Sequence, residues 1–198
     1  MKLTSKKSYQ ITRYILLNQE FTQRKIARET NVSLGYINEV INYLTTINIV
    51  TKTTRSYILW DKVKLLEKIS LDRPFTNLII DKFRLPTTTI QETENTITNT
   101  LKNKKYALTA FSGLRRYFEY HIGYPTVHLY IEDKTALDLI EKGEGAIQVI
   151  ALKPDLENIL KERKKINKAY VCDRQQIIID LFSTGTGRDA AIKFLEAI

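Results

Sequence analysis

The sequence predicts an α+β protein in two parts: a mainly helical N-terminal third closed by a β-hairpin, then a longer stretch of alternating helices and strands. Three observations lead there. Apolar residues recur at helical spacing through the first third. Beyond Pro74 helix-period segments alternate with short β-rich runs. The charge is also unevenly divided, because residues 1–73 hold 13 Lys and Arg against 6 Asp and Glu, or +7 of the formal net charge of +9. A chain of 198 residues that is 43% hydrophobic has material for a sizeable core. The boundary falls at Arg73, where Pro74 disfavours continuation of a helix, so residues 1–73 and 74–198 are expected as separate domains.

In order, Ile11, Tyr14, Ile15 and Leu16 place a first helix over Lys7 to Asn18. Thr22 is an N-cap for a short helix from Gln23 to Glu29, with Ile26 and Ala27 inward. Thr30-Asn31-Val32-Ser33 is a tight turn with Val32 as an apolar plug. Ser33 then starts a longer helix whose inward positions are Ile37, Val40, Ile41 and Leu44. The β-rich runs Ile49 to Lys52 and Ser56 to Trp60 flank a basic tip at Thr53-Thr54-Arg55, and a further helix covers Asp61 to Ile69.

This arrangement resembles a winged helix-turn-helix across Ser8 to Trp60, which implies binding to duplex DNA. The helix begun by Ser33 would enter the major groove with Gly35, Tyr36, Asn38, Glu39, Asn42 and Tyr43 outward. Asn38 and Asn42 suit adenine edges, Glu39 suits cytosine, and Tyr36 suits a thymine methyl or a phosphate. Arg24, Lys25 and Arg28, with Lys52, Thr54 and Arg55 on the wing, would meet the phosphates that set register. The outward face lacks Arg, the commonest guanine reader, so an A·T-rich site or readout through DNA shape is expected.

The second part reads as a helix over Thr89 to Lys102, a strand at Tyr106 to Ala110 and a helix from Ser112 to His121. A strand at Val127 to Ile131, a short helix at Lys134 to Glu141 and a strand at Ile147 to Leu152 come next. A helix at Pro154 to Lys161, a strand around Lys168 to Val171, and helices at Arg174 to Phe182 and Arg188 to Ala197 finish the chain. The expectation for the whole is thus α+β: a part resembling a winged helix-turn-helix followed by an α/β domain with a sheet of four or more strands covered by helices.

Tyr106-Ala107-Leu108-Thr109-Ala110-Phe111-Ser112-Gly113, Val127 to Ile131, Gln175 to Phe182 and Gly187-Arg188-Asp189-Ala190-Ala191 carry a second likeness. In that order they resemble the AbiEi-type family of type IV toxin–antitoxin antitoxins and transcriptional regulators. Ala110-Phe111 departs from the small residues usual there, and Gly185-Thr186-Gly187 makes a slightly expanded turn. The resemblance implies a repressor of its own operon that neutralises a nucleotidyltransferase-like toxin. A stand-alone regulator, a protein-interaction adaptor and a homodimer are further readings.

The Ser112-Gly113 turn and Glu132-Asp133 also bear a superficial likeness to a nucleotidyltransferase, the alternative to a non-enzyme. Adjacent residues on a strand face opposite ways, whereas paired metal ions need carboxylates on one face. If the strand has ended, these carboxylates cap the following helix instead. His121 and His128 follow no nucleophile motif, and His128 reads as a strand residue with a satisfied ring. Ser112 reads as an N-cap and Cys172 as a buried thiol. Arg188 is expected to hold the last helix through Asp180 or to meet a partner. Arg115 and Arg116 among aromatics, and the run Lys161 to Lys165 with Lys168, read as solvated charge or as partner and auxiliary nucleic-acid contacts, with Lys164 and Lys165 foremost.

One cysteine and two histidines supply neither an internal disulfide nor a thiolate zinc site, so no metal and no cofactor are expected. No apolar run approaches the roughly 20 residues that span a bilayer. The basic first ten residues lack a signal-peptide pattern. A cytoplasmic location without a membrane partner is therefore the expectation.

Overall fold

The structure, a computed structural model, describes residues 1–119 and 124–198. The protein is mixed α and β and divides into two compact units, Met1–Pro74 and Phe75–Ala197.

In the first unit α1 (Lys6–Leu17), α2 (Gln23–Thr30) and α3 (Leu34–Thr46) pack on one another. Ile11, Ile15, Leu16, Ile26, Ile37, Val40, Ile41 and Leu44 are all fully buried. Each such side chain stabilises the fold by roughly 1.5–3 kcal/mol relative to exposure. The helix period therefore decides which face of α3 remains outside. Asn31 ends α2 in the left-handed region at φ 54°, which its short polar side chain tolerates. Val32, 5% exposed, fills the space behind that turn.

Strands β1 (Glu20–Phe21), β2 (Val50–Lys52) and β3 (Tyr57–Leu59) form an antiparallel sheet with β3 central. Val50 lies opposite Leu59, and Phe21 lies opposite and stacked on Tyr57. The two-residue β1 was not expected from the sequence. Helix α4 (Lys62–Asp72) begins at Asp61, whose carboxylate accepts from the Lys64 amide, and it buries Leu65, Leu66 and Ile69. Asp72 at its end accepts from the Leu3 amide at 2.7 Å and pairs with Lys68, fastening the first residues to α4.

The second unit holds a mixed sheet of six strands. These are β4 (Ile79–Arg84), β5 (Tyr106–Leu108), β6 (Thr126–Ile131), β7 (Gln148–Leu152), β8 (Lys164–Ile166) and β9 (Ala169–Val171), in the order β4-β7-β6-β5-β9-β8. The pairs β6–β7 and β5–β9 are parallel and the others antiparallel. Helices α5 (Ile90–Thr100), α6 (Ala110–Leu114), α7 (Asn158–Lys161), α8 (Arg174–Ser183) and α9 (Arg188–Glu196) accompany it, and α6 packs on β6 and α8. At Gly113 a Cβ would lie 2.7 Å from Ile177 Cγ1, so glycine permits the close approach of α6 to α8.

Several elements differ from the sequence expectation. β4 and β8 were not foreseen. The segment from Lys134 is a 3₁₀ helix ending at Leu139, and α7 starts at Asn158 rather than Pro154. The helix after β5 begins two residues early because Ala110 takes φ 46°, and Thr109 holds the N-cap position. Ser112 is therefore not a cap. Its buried hydroxyl accepts from the His128 amide and from Arg115 Nη2. The helix ends at Leu114 rather than running on, with turns from Arg115 to Tyr117, and the rest of the expected stretch, Tyr120 and His121, lies outside the described residues.

Two buried polar clusters organise this unit. Glu94 on α5, 2% exposed, accepts from Arg115 and Arg116, each at 2.7 Å. Fully buried Asp180 accepts from Thr109, Tyr130 and Gln176. Both clusters match a buried anion with donors, as burial of charge requires. Arg188 is exposed and lies over the Phe182 ring at 5.0 Å, a correction to its expected bond with Asp180. Cys172 is buried.

The expectation of a satisfied ring for His128 also fails, since its buried Nδ1 has no hydrogen-bond partner. Burial, reinforced by Arg115, pushes His128 from its ordinary 6.5 down to about 4. The folded imidazole is thus neutral at a pH where the unfolded chain binds a proton. Its contribution is fully present above 6.5 and is lost as the pH falls from there towards 4. Between about pH 7 and about pH 5 His128→Leu should lose about 2 kcal/mol less stability than the wild type. Urea midpoints at both pH values measure this, and equal losses in the two proteins would contradict it.

Candidate nucleic-acid interface

Burial of Ile37, Val40, Ile41 and Leu44 turns the opposite side of α3 outward. Gly35, Asn38, Glu39 and Asn42 are all exposed on it. Tyr36 and Tyr43 are half-buried at its flank. Tyr43 lies near Lys68 of α4, which places it beside the outward face rather than on it. The Tyr36 hydroxyl shares hydrogen bonds with Ser5 and Ser8 at 3.2 and 2.9 Å, and these hold it below the ordinary tyrosine value. The Lys7 ammonium stands 5.7 Å from the Tyr36 ring. The start of α1 therefore borders the start of α3, a neighbourhood between residues some 30 positions apart that no local pattern announces.

Ser33 occupies the N-cap position of α3 with extended backbone, but its hydroxyl makes no capping bond. That corrects its expected role. The α3 amides are left for other acceptors, and Ser33 is itself exposed. Thr22 does cap α2, accepting from the Lys25 amide at 3.2 Å.

Asn38 is held in place before any ligand arrives. Gln23 Nε2 donates to Asn38 Oδ1 at 3.0 Å and to the Tyr57 hydroxyl at 3.2 Å, joining α2, α3 and β3 through one amide. Asn38 keeps its Nδ2 donor and a second lone pair on Oδ1, which is the donor–acceptor pair an adenine edge takes. Gln23 was missed by the sequence reading.

The hairpin tip is equally fixed. Thr53 Oγ1 accepts from the Ser56 amide at 2.9 Å, the Thr53 amide donates to the Ser56 carbonyl, and Ser56 Oγ donates to Glu20 of β1. Thr54 and Arg55 project at the exposed apex. Between this tip and the start of α2 lies an open cleft of about 480 Å³, lined by Thr22, Gln23, Arg24, Lys52, Arg55 and their neighbours. Arg24, Lys25, Lys52 and Arg55 are exposed, and no ion pair joins them to a carboxylate among the described residues. Arg28 meets Glu29 at 3.0 Å in a solvent-exposed pair worth little.

A slightly larger cavity of about 520 Å³ in the second unit has a different character. Lys105 is paired with Glu132, Lys161 with Glu157, and Arg163 lies over the Tyr170 ring while donating to the Leu160 carbonyl. Cations and carboxylates line it together, so it offers a polyanion little net field. Arg115 and Arg116, expected as partner contacts, are instead committed to Glu94. Lys164 and Lys165 are exposed on the edge strand β8 rather than at a helix end, and exposed Lys168 sits in the β8–β9 turn at φ 71°. Glu132 and Asp133 follow the end of β6. Asp133 accepts from the Thr135 amide as the cap of the 3₁₀ helix. Among the described residues no three His, Cys, Asp or Glu side chains are grouped to hold a metal ion, and no helix is long and apolar enough to cross a membrane.

The contrast between the two caps is testable. Thr22→Ala should cost about 1 kcal/mol in urea unfolding of the full chain, whereas Ser33→Ala should cost only a few tenths. Equal losses would place the Ser33 hydroxyl in a cap that the structure lacks.

No protein-family model matches the chain, and no curated protein or solved structure matches it either.

Proposed function

We propose that this protein is a cytoplasmic, DNA-binding transcriptional regulator whose first unit works as a winged helix-turn-helix. Helix α3 is its recognition element and the β2–β3 hairpin its wing. One observation carries the reading: an amide-bearing helix face, pre-set by Gln23, stands beside a cleft whose cations Arg24, Lys52 and Arg55 have no carboxylate partner among the described residues. Unneutralised cations release condensed counterions when they meet phosphates, and outward amides discriminate base edges. The second unit, through the segments resembling AbiEi-type antitoxins, would serve a repressor that neutralises a nucleotidyltransferase-like toxin. No reaction is assigned to it.

The test is fluorescence anisotropy of the full chain on its own upstream region and on random duplex, from about 50 to about 200 mM salt. Four or five phosphate contacts predict a log–log salt slope near −4, at about −0.9 per phosphate. Lys52→Ala or Arg55→Ala should weaken all sequences alike and reduce the slope by about 1. Asn38→Ala should erode preference at one base pair by about 1–3 kcal/mol. Binding to the upstream region no tighter than to random DNA at physiological salt would remove the proposal.

A further inference from the structure

Among the large apolar side chains left in solvent, three belong to α4 and the strand end leading into it. Trp60 is 75% exposed, Val63 40% and Leu71 76%. This is a second face of α4, since the first, bearing Leu65, Leu66 and Ile69, is already buried in the core. Val63, Glu67 and Leu71 recur every four residues and so share one side of the helix, with Lys64 beside them. The Asp61 cap starts the helix at Lys62, so Trp60 stands directly ahead of the first turn on β3's end. Tryptophan is highly buried on average, so one this exposed stands apart.

The charges on the same face are also unspent. Lys64 and Glu67 are exposed, and neither forms an ion pair among the described residues, whereas neighbouring Lys68 is held by Asp72 at 2.5 Å. The face is self-complementary. When two copies of α4 lie antiparallel about a two-fold axis level with the midpoint of Leu65 and Leu66, the partner's Leu71 reaches just past the Asp61 cap, at the end of the helix that Trp60 precedes. The same register sets Lys64 level with the partner's Glu67. Apolar and charged pairs are thus satisfied together, and each occurs twice, as an isologous interface requires.

We propose that the outer face of α4 is a homodimer interface, with Trp60 packed against Leu71 and Lys64 paired with Glu67 across the axis. Its occupant is a second copy because Lys64 and Glu67 are complementary charges on one helix, and the register that pairs them also brings Leu71 to the end of the partner helix that Trp60 precedes. A face three helical turns long is short for an obligate interface, so the dimer is reversible. This inference rests on α4 and the Trp60 that precedes its cap, and does not depend on the DNA-binding reading.

Sedimentation velocity of the full chain over a concentration series tests it, with fluorescence of the chain's one tryptophan as a local reporter. The wild type should pass from monomer to dimer with a blue shift of Trp60 emission. Trp60→Ala and Leu71→Glu should remain monomeric with unchanged thermal unfolding of the monomer. Lys64→Glu and Glu67→Lys should each weaken the dimer several-fold, and the double exchange Lys64→Glu/Glu67→Lys should restore it. A wild type that stays monomeric throughout would overturn the proposal and leave the face to some other partner. A dimer indifferent to the charge reversals, or one the double exchange does not restore, would overturn it equally. Affinity of Trp60→Ala for a single DNA half-site should equal that of the wild type, so loss of the dimer and loss of DNA binding are separate results.

Discussion

One constraint organises the first unit: the burial of a single aliphatic stripe on α3. Ile37, Val40, Ile41 and Leu44 are spaced so that all four face α1, α2 and the small sheet, and all four are fully buried. Rotating α3 by even a quarter turn would bring Asn38 or Tyr43 into that core, at the cost of desolvating polar groups with no partners there. Outward presentation of Asn38, Glu39 and Asn42 follows directly. The turn through Asn31 and Val32 sets the angle at which α3 leaves α2, and the Gln23 amide then joins the outward face to β3. What the first unit offers a ligand is therefore a by-product of how its core is filled.

The second unit uses its charge differently. Its arginines near the sheet are drawn inward by Glu94, and Asp180 is surrounded by hydroxyl and amide donors. Removing one partner from such a cluster leaves the others buried and uncompensated, which is far more costly than losing a surface pair. Charge in this unit is therefore structural where it is buried and paired where it lines the larger cavity. The first unit instead keeps Arg24, Lys25, Lys52 and Arg55 exposed with no ion pair among the described residues, while Arg13 and Arg73 are buried and Lys68 is held by Asp72. Part of the +7 excess in residues 1–73 is thus available at the surface.

Much of the first unit was legible in the sequence because amphipathic spacing and caps are local signals. Thr22 caps α2 as expected, and α4 and α5 start within one residue of the expected Asp61 and Thr89, which cap them. The misses have physical causes. β1 has only two residues, too few to show a period. β4 reads Ile-Ile-Asp-Lys-Phe-Arg: Phe83 is buried between exposed Lys82 and Arg84, but polar Asp81 shares its side and apolar Ile80 the other, so no apolar–polar alternation marks it. β8 carries Lys164 and Lys165 because an edge strand is protected by lysines, and that made it resemble a solvated helix end. The left-handed Ala110 gave no compositional sign, so Ser112 was misplaced as a cap. In the site, cationic and amide residues were readable from their pattern. The Gln23 link and the Tyr36–Ser5–Ser8 contacts join residues distant in sequence and appear only once the helices are packed.

The central claim is that the uncompensated cations and the outward face of α3 form one surface for a polyanionic duplex. Amide chemical-shift mapping by NMR on the full chain, titrated with a short DNA duplex, tests it most directly. The account predicts shifts concentrated at Gln23 to Arg28, Gly35 to Tyr43 and Lys52 to Arg55, fading as salt is raised. Shifts confined to residues of Phe75–Ala197, or none at low salt, would contradict it.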